Sequence, residues 1–315
     1  MARFLLLLVG LALATAAHAQ DPKAGKCKLL RIAQWMMRAE YYSPVVDAMI
    51  NGQYVRVLLD TGAPLTVMRR AATRTLNLAR TEIEGHPNAE AVYINEFRIG
   101  KWERNDWRVL VAGEHDFGDD VALVLGDDFF QNADVEFDFQ SNAVRVYQAK
   151  DCEDSALAYW TRSATQVPIE PGGRVHLGVA INGKPVVALL DSGASRSLLG
   201  TAEAAKLGVT PESPGATAAG CVAGYGKNSV DSWTAPFESF AIGDEVIRNP
   251  RIRFGDLAHH TGDVQAGMLL GADFLHSHRV LVARSQGKLY FTYAGGTVFA
   301  RPPAGRPCAT TPPVR

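Results

Sequence analysis

The chain contains itself twice, and that duplication limits its possible folds more than any other feature. Ile50-Asn51-Gly52-Gln53 returns as Ile181-Asn182-Gly183-Lys184. Val57-Leu58-Leu59-Asp60-Thr61-Gly62-Ala63 returns as Ala188-Leu189-Leu190-Asp191-Ser192-Gly193-Ala194, at the same offset of 131 residues. Phe97-Arg98-Ile99-Gly100 is matched by Phe240-Ala241-Ile242-Gly243. Val124-Leu125-Gly126-Asp127-Asp128-Phe129-Phe130 is matched by Leu269-Leu270-Gly271-Ala272-Asp273-Phe274-Leu275, now at an offset of 145 residues. Each copy closes on an alternating pattern, Val135 to Phe139 in one and Val280 to Val282 in the other. Blocks repeated in one order mean one supersecondary unit used twice. The extra residues of the second copy fall mostly between Val209 and Trp233.

Inside each copy the pattern is short and β-like. Apolar and polar residues alternate from Tyr54 to Leu58, an apolar run spans Val186 to Leu190, and Asn-Gly pairs punctuate both. The stretches Arg69 to Ala79 and Thr201 to Leu207 read as helices of two or three turns. These signals divide the chain into a first lobe over 20–150, a linker over 151–172 containing Pro168 and Pro171, a second lobe over 173–300 and a Pro-rich tail over 301–315.

Residues 1–19 stand apart as a signal peptide. Arg3 supplies a positive charge, Phe4 to Ala17 is a Leu-rich apolar stretch, and Ala17-His18-Ala19 offers a small-x-small cleavage site. The apolar run is short for a bilayer span, so the expected product is an exported protein, periplasmic or extracellular, with no membrane attachment after cleavage. Four cysteines, Cys27, Cys152, Cys221 and Cys308, suit an oxidising compartment and allow three pairings; the spacing favours Cys27 with Cys152, which bracket the first half. The net charge of −1 provides no basic excess for a phosphate backbone, so no nucleic acid partner is expected.

The repeated motif points to chemistry. Two leucines carry each strand through the core and a carboxylate emerges at its end, where Gly allows a tight turn and Thr61 or Ser192 can hold its neighbours by hydrogen bonds. A carboxylate delivered by an apolar strand needs a partner or a purpose. Duplicated loops would bring Asp60 and Asp191 together on a pseudo-twofold axis. Two carboxylates in one site retain a proton between them, as aspartic proteases illustrate. One can then take a proton from water while the other polarises a carbonyl.

On these residues the chain resembles the retropepsin-like aspartic protease family in its tandem, single-chain bacterial form. The family signature, an apolar pair followed by Asp-Thr/Ser-Gly-Ala/Ser, fits Leu58 to Ala63 and Leu189 to Ala194. The resemblance implies an all-β, bilobal acid-protease fold of two homologous barrel-like lobes with short helices. It implies catalytic roles for Asp60 and Asp191, with loop support from Thr61, Gly62, Ala63, Ser192, Gly193 and Ala194. Leu125-Gly126 and Leu270-Gly271 correspond to the element that packs behind each loop, and Gly224-Tyr225-Gly226 to the tip of a hairpin flap. The first half has only Gly85 in the short stretch Thr81 to Ala91 where its flap would stand. The implied activity is that of an endopeptidase on a polypeptide substrate, working without cofactor or metal and as a monomer, since one chain carries both acids.

Other readings compete less well. The chain contains no Gly-x-Ser-x-Gly elbow, so Ser192 is not placed as a hydrolase nucleophile. His259-His260 and His276-x-His278 lack metal-ligand spacing, and Glu114 to Asp120 lacks that of a calcium loop. A catalytically inactive peptide-binding protein of the same fold is the main alternative. A β-sandwich adhesion or carbohydrate module, which predicts no paired acids, ranks last.

Overall fold

The computed structural model describes residues 27–112, 120–170, 173–223, 229–257 and 265–299. Both copies begin with a hairpin. Strands Val45–Ile50 and Gln53–Leu59 pair antiparallel through Asn51-Gly52, whose φ values of 49° and 77° are those of a primed two-residue turn. Strands His176–Ile181 and Lys184–Leu190 repeat this through Asn182-Gly183 at 50° and 75°. Glycine suits the second position, because a left-handed backbone there costs it nothing.

The second strand of each hairpin runs down the middle of a sheet. Gln53–Leu59 lies parallel to Val121–Leu125, and Lys184–Leu190 lies parallel to Met268–Leu270. Leu59, Leu125, Leu190 and Leu270 are fully buried, which explains why these strands read as continuous apolar runs. The first sheet has seven strands and the second nine. Their order corresponds once the long strands His86–Ile99 and Trp102–Ala112 are seen to be divided in the second copy into Ser229–Pro236 with Ser239–Ile242, and Glu245–Arg248 with Arg251–Gly255. Pro236 and Pro250 stand at those divisions, where a missing N–H ends the ladder. Helices Arg70–Thr75 and Thr201–Lys206 fall within the stretches expected from sequence. Two further short helices, Asp127–Phe130 and Ala272–Ser277, open after Gly126 and Gly271.

A third sheet of six strands belongs to both halves. Its order is Lys28–Met36, Ala143–Lys150, Asp134–Asp138, His278–Ala283, Lys288–Tyr293 and Thr165–Pro168. The two closing strands meet at its centre, with Val135 opposite Val282, Glu136 opposite Leu281, and Phe137 opposite Val280. The stretch 151–172, read from sequence as a linker, supplies the edge strand Thr165–Pro168 and buries Leu157 and Ala158 against Tyr147, Leu281 and Tyr290. The fold is therefore all-β with few, short helices. A disulfide joins Cys27 to Cys152 and so ties the first strand to the end of its neighbour. Cys221 is also disulfide-bonded, while Cys308 lies outside the described residues. So do residues 1–19, expected to be a signal peptide, and the tail 301–315.

Candidate active site

Each central strand delivers its aspartate by the same route. The Asp60 N–H donates to Leu125 O at 2.9 Å, and the Asp191 N–H donates to Leu270 O at 2.9 Å. The loops then turn on their own acids. Gly62 N and Ala63 N donate to Asp60 Oδ1 at 2.9 and 3.1 Å, and Ala194 N donates to Asp191 Oδ1 at 2.8 Å.

The loops also lock into one another. Thr61 Oγ1 donates to Leu190 O at 2.7 Å and accepts from Ser192 N at 3.1 Å. Ser192 Oγ donates to Leu59 O at 2.7 Å and accepts from Thr61 N at 3.0 Å. Both hydroxyls are buried, so each of the four bonds satisfies groups that water cannot reach.

The lock sets the two carboxyls face to face, each against the opposite glycine. A Cβ at Gly62 would fall closer than 3.0 Å to the Asp191 carboxyl, and one at Gly193 equally close to that of Asp60. Neither glycine has a positive φ, so space rather than backbone freedom requires them. The side chains of Asp60 and Asp191 hydrogen-bond one another. Burial first, and the neighbouring Asp60 charge second, push the Asp191 carboxyl well above the ordinary carboxylate range.

Behind each loop sits a matched support. Gly126 and Gly271 lie so close to the carbonyls of Leu65 and Arg196 that a side chain would collide. Thr66 donates to Asp128 Oδ1 through its N–H and its hydroxyl, both at 2.8 Å; Ser197 does the same to Asp273 Oδ1 at 2.8 and 2.6 Å. Those hydroxyls accept from Gly126 N at 3.1 Å and Gly271 N at 2.9 Å. The sequence reading passed over these four residues, although Asp128 and Asp273 share a position in the repeated Gly block, as Thr66 and Ser197 do after the Asp motif. Each half also reaches across from the residue pair Ser43 and Arg174. Ser43 Oγ donates to Gly193 O at 3.2 Å and Arg174 Nη1 to Gly62 O at 3.1 Å.

The first-half hairpin over 80–99 is tight, turning at Glu84-Gly85 with Ile83 opposite His86. Its counterpart pairs Thr217–Ala223 with Ser229–Pro236. The flap-tip candidates Gly224, Tyr225 and Gly226 lie outside the described residues, as do His259-His260 and residues 114–119. His276 stacks on Tyr42, and buried His278 is held between Phe274 O at 2.8 Å and Glu245 Oε1 at 3.0 Å. No cluster of His, Cys, Asp and Glu among the described residues could hold a metal ion.

Two homologous β lobes, joined through a common sheet and each giving one aspartate to a shared pair, define the acid-protease class of fold. Comparison with protein families agrees in both halves: residues 46–132 match the gag-polyprotein putative aspartyl protease family, and residues 177–274 match the aspartyl protease family. The chain belongs to the retropepsin-like aspartyl proteases. No curated protein matches it.

Proposed function

We propose that the protein is an aspartic endopeptidase that hydrolyses peptide bonds with a water molecule activated between Asp60 and Asp191. The observation that carries this reading is the reciprocal seating of each carboxyl on the other loop's glycine. With its raised affinity for a proton, Asp191 is the member of the pair that holds the shared proton. Asp60 takes a proton from water as the water oxygen bonds to the scissile carbonyl carbon, and Asp191 gives its proton to the carbonyl oxygen. The tetrahedral intermediate then breaks its C–N bond as Asp60 returns a proton to the leaving nitrogen and Asp191 recovers its own. No covalent enzyme intermediate forms.

The polypeptide substrate would lie in the groove between the lobes. A single chain supplies both acids, so the working form is a monomer, and the Cys27–Cys152 disulfide suits export from the cytoplasm. The deciding experiment incubates wild type, Asp60→Asn and Asp191→Asn with an unstructured protein across acidic pH. Each single variant should lose most of the activity, with the double variant little worse, because the pair acts as one unit. Near wild-type turnover by either single variant would remove the assignment. A wild type that binds peptide without cutting it would favour the inactive binding protein.

A further inference from the structure

The two halves hold their aspartate loops by the same backbone relay but start it from different side chains. Ser43 and Arg174 occupy one position of the repeat, at the offset of 131 residues that also separates Asp60 from Asp191. Arg174 Nη1 donates to Gly62 O at 3.1 Å, and the N–H of that same peptide group, Ala63 N, donates to Asp60 Oδ1 at 3.1 Å. Ser43 Oγ donates to Gly193 O at 3.2 Å, and Ala194 N of that peptide donates to Asp191 Oδ1 at 2.8 Å. Each relay starts in the half opposite to its acid.

One relay begins at a guanidinium and the other at a neutral hydroxyl. A guanidinium stays charged at any working pH, and a hydrogen bond from a charged donor is roughly twice as strong as a neutral one. Hydrogen bonds in a chain polarise one another, so a cation on Gly62 O makes Ala63 N–H the stronger donor. A stronger bond to the charged form of a carboxyl favours that form. Mutual repulsion requires the pair to keep one proton but acts on both acids alike. Both carboxyls also receive N–H bonds from their own loops. Asp191 is raised above the ordinary range, by burial first and the Asp60 charge second, in the direction that the relays set. Titratable and charged groups face both starting points. Around Arg174 they are Asp127 and Arg284, which pair with one another, and His176, whose Nδ1 lies 3.1 Å from Arg174 O. Beside Ser43, Tyr42 faces His276, Arg196 and Asp273. All of these are unchanged in the variants compared below.

We propose that Arg174 breaks the symmetry of the pair and directs the shared proton to Asp191, leaving Asp60 to act as the base. Arg174 is a positioning residue, acting through the Gly62–Ala63 peptide. An exchange of roles between the acids, open to a symmetric pair, is thereby closed. The proposal rests on the peptidase reading for what the acids do, but its first test needs no turnover.

The test titrates the aspartate carboxyls by carbon-13 NMR, with Asp60→Asn and Asp191→Asn identifying the two resonances of the pair. In wild type the carboxyl that stays protonated to higher pH should be that of Asp191. Arg174→Ser installs the residue of the other half, and Arg174→Gln keeps a donor without its charge. In both, the two resonances should titrate nearly together. Losing the cation weakens a bond made to the charged form, so the first proton should leave at a higher pH. The expected rise is about half a pH unit, or about threefold in proton affinity. Arg174→Lys keeps the charge and should stay near wild type. The acidic limb of the kcat/KM profile should move upward in the two neutral variants and stay in place in Arg174→Lys. Neutral variants that titrate like wild type, or a lysine variant that titrates like the neutral ones, overturn the proposal. So does a wild type in which Asp60 is the acid that stays protonated. A protein that cuts peptides while its neutral variants titrate unchanged removes this proposal alone. A protein that cuts nothing, with the proton moving as expected, removes the peptidase reading alone.

Discussion

Glu136 and Leu281 face each other where the two halves meet, and by the repeat they are the same position. The pseudo-twofold axis runs between them, and the symmetry fails there. A symmetric dimer would place two identical residues in that pair; fusion of the halves has allowed one acid and one leucine. Glu136 is fully buried, accepts from Arg145 Nη1 at 2.6 Å in its own half and from Arg279 Nη2 at 2.8 Å in the other, and is approached by Tyr147 and Tyr159 hydroxyls at 3.1 and 2.8 Å.

Glu136→Leu would restore the symmetry and remove the shared acceptor from two arginines. Breaking a buried pair by deleting one partner costs about 3–5 kcal/mol. Asp138, which also meets Arg145 at 3.0 Å, keeps the expected loss near the lower end. Urea unfolding reads it, and a loss under about 1 kcal/mol would mean that the network adds little to the joining of the halves.

Gly193→Ala tests the seating of the carboxyls without altering an acid. The added methyl meets the Asp60 carboxyl, so the pair must spread. Misplacement of reacting groups by about 1 Å can cost about 100-fold in rate. The expected result is that loss in kcat/KM with the circular dichroism spectrum preserved. Unimpaired turnover would show that the close approach is not needed.

Ser192→Ala removes a donor to Leu59 O and an acceptor of Thr61 N, both buried. Each orphaned group costs about 1–3 kcal/mol. Ser192→Thr keeps the hydroxyl and should recover most of the loss. If the alanine and threonine variants melt together, crowding rather than hydrogen bonding explains the effect.

What the two copies share was legible, because recurrence at a fixed offset separates a motif from chance. Asp60, Asp191 and their flanking glycines were read from it, and the loops that carry them meet in the structure. The Thr66–Asp128 and Ser197–Asp273 supports carried the same signal but were not singled out, since neither residue type at those spacings announces a role. What differs between the copies was not legible. Glu136 looks like an ordinary polar residue until register sets it opposite Leu281. The division of the long strands at Pro236 and Pro250 was hidden likewise, because the inserted residues blurred the alignment.

Asp191 should make stability depend on pH in a stated direction. Its folded pKa lies above that of an unfolded aspartate, about 3.9. The proton is therefore held more tightly in the folded state. Its stabilising contribution is complete below the unfolded value and is lost as pH rises through the folded one. Asp191→Asn cannot titrate, so it should match wild type in Tm near pH 3 and gain on it steadily toward neutrality. A constant offset in Tm across that range would show that Asp191 does not bind its proton more tightly when folded.

The residue after each motif glycine should set the active pH window. Ala63 and Ala194 give their carboxylates a backbone N–H, at 3.1 and 2.8 Å, but have no hydroxyl to add. A further hydrogen bond to the charged form favours ionisation and lowers the pKa. Without it, the pair should titrate at higher apparent values than a serine-bearing pair, and activity should be greatest in mild acid. Ala194→Ser is the cleaner test, because Ala194 is partly exposed, whereas Ala63 is buried against Val45, Leu58, Val121 and Val124. The hydroxyl that Ala194→Ser introduces would lie beside the N–H that already serves Asp191, so both could point at one carboxylate. The kcat/KM profile of Ala194→Ser should move toward lower pH, and Ala63→Ser should move it the same way if the protein remains folded. A profile that stays in place or moves upward in Ala194→Ser would assign the window to the burial and mutual repulsion of the two acids alone.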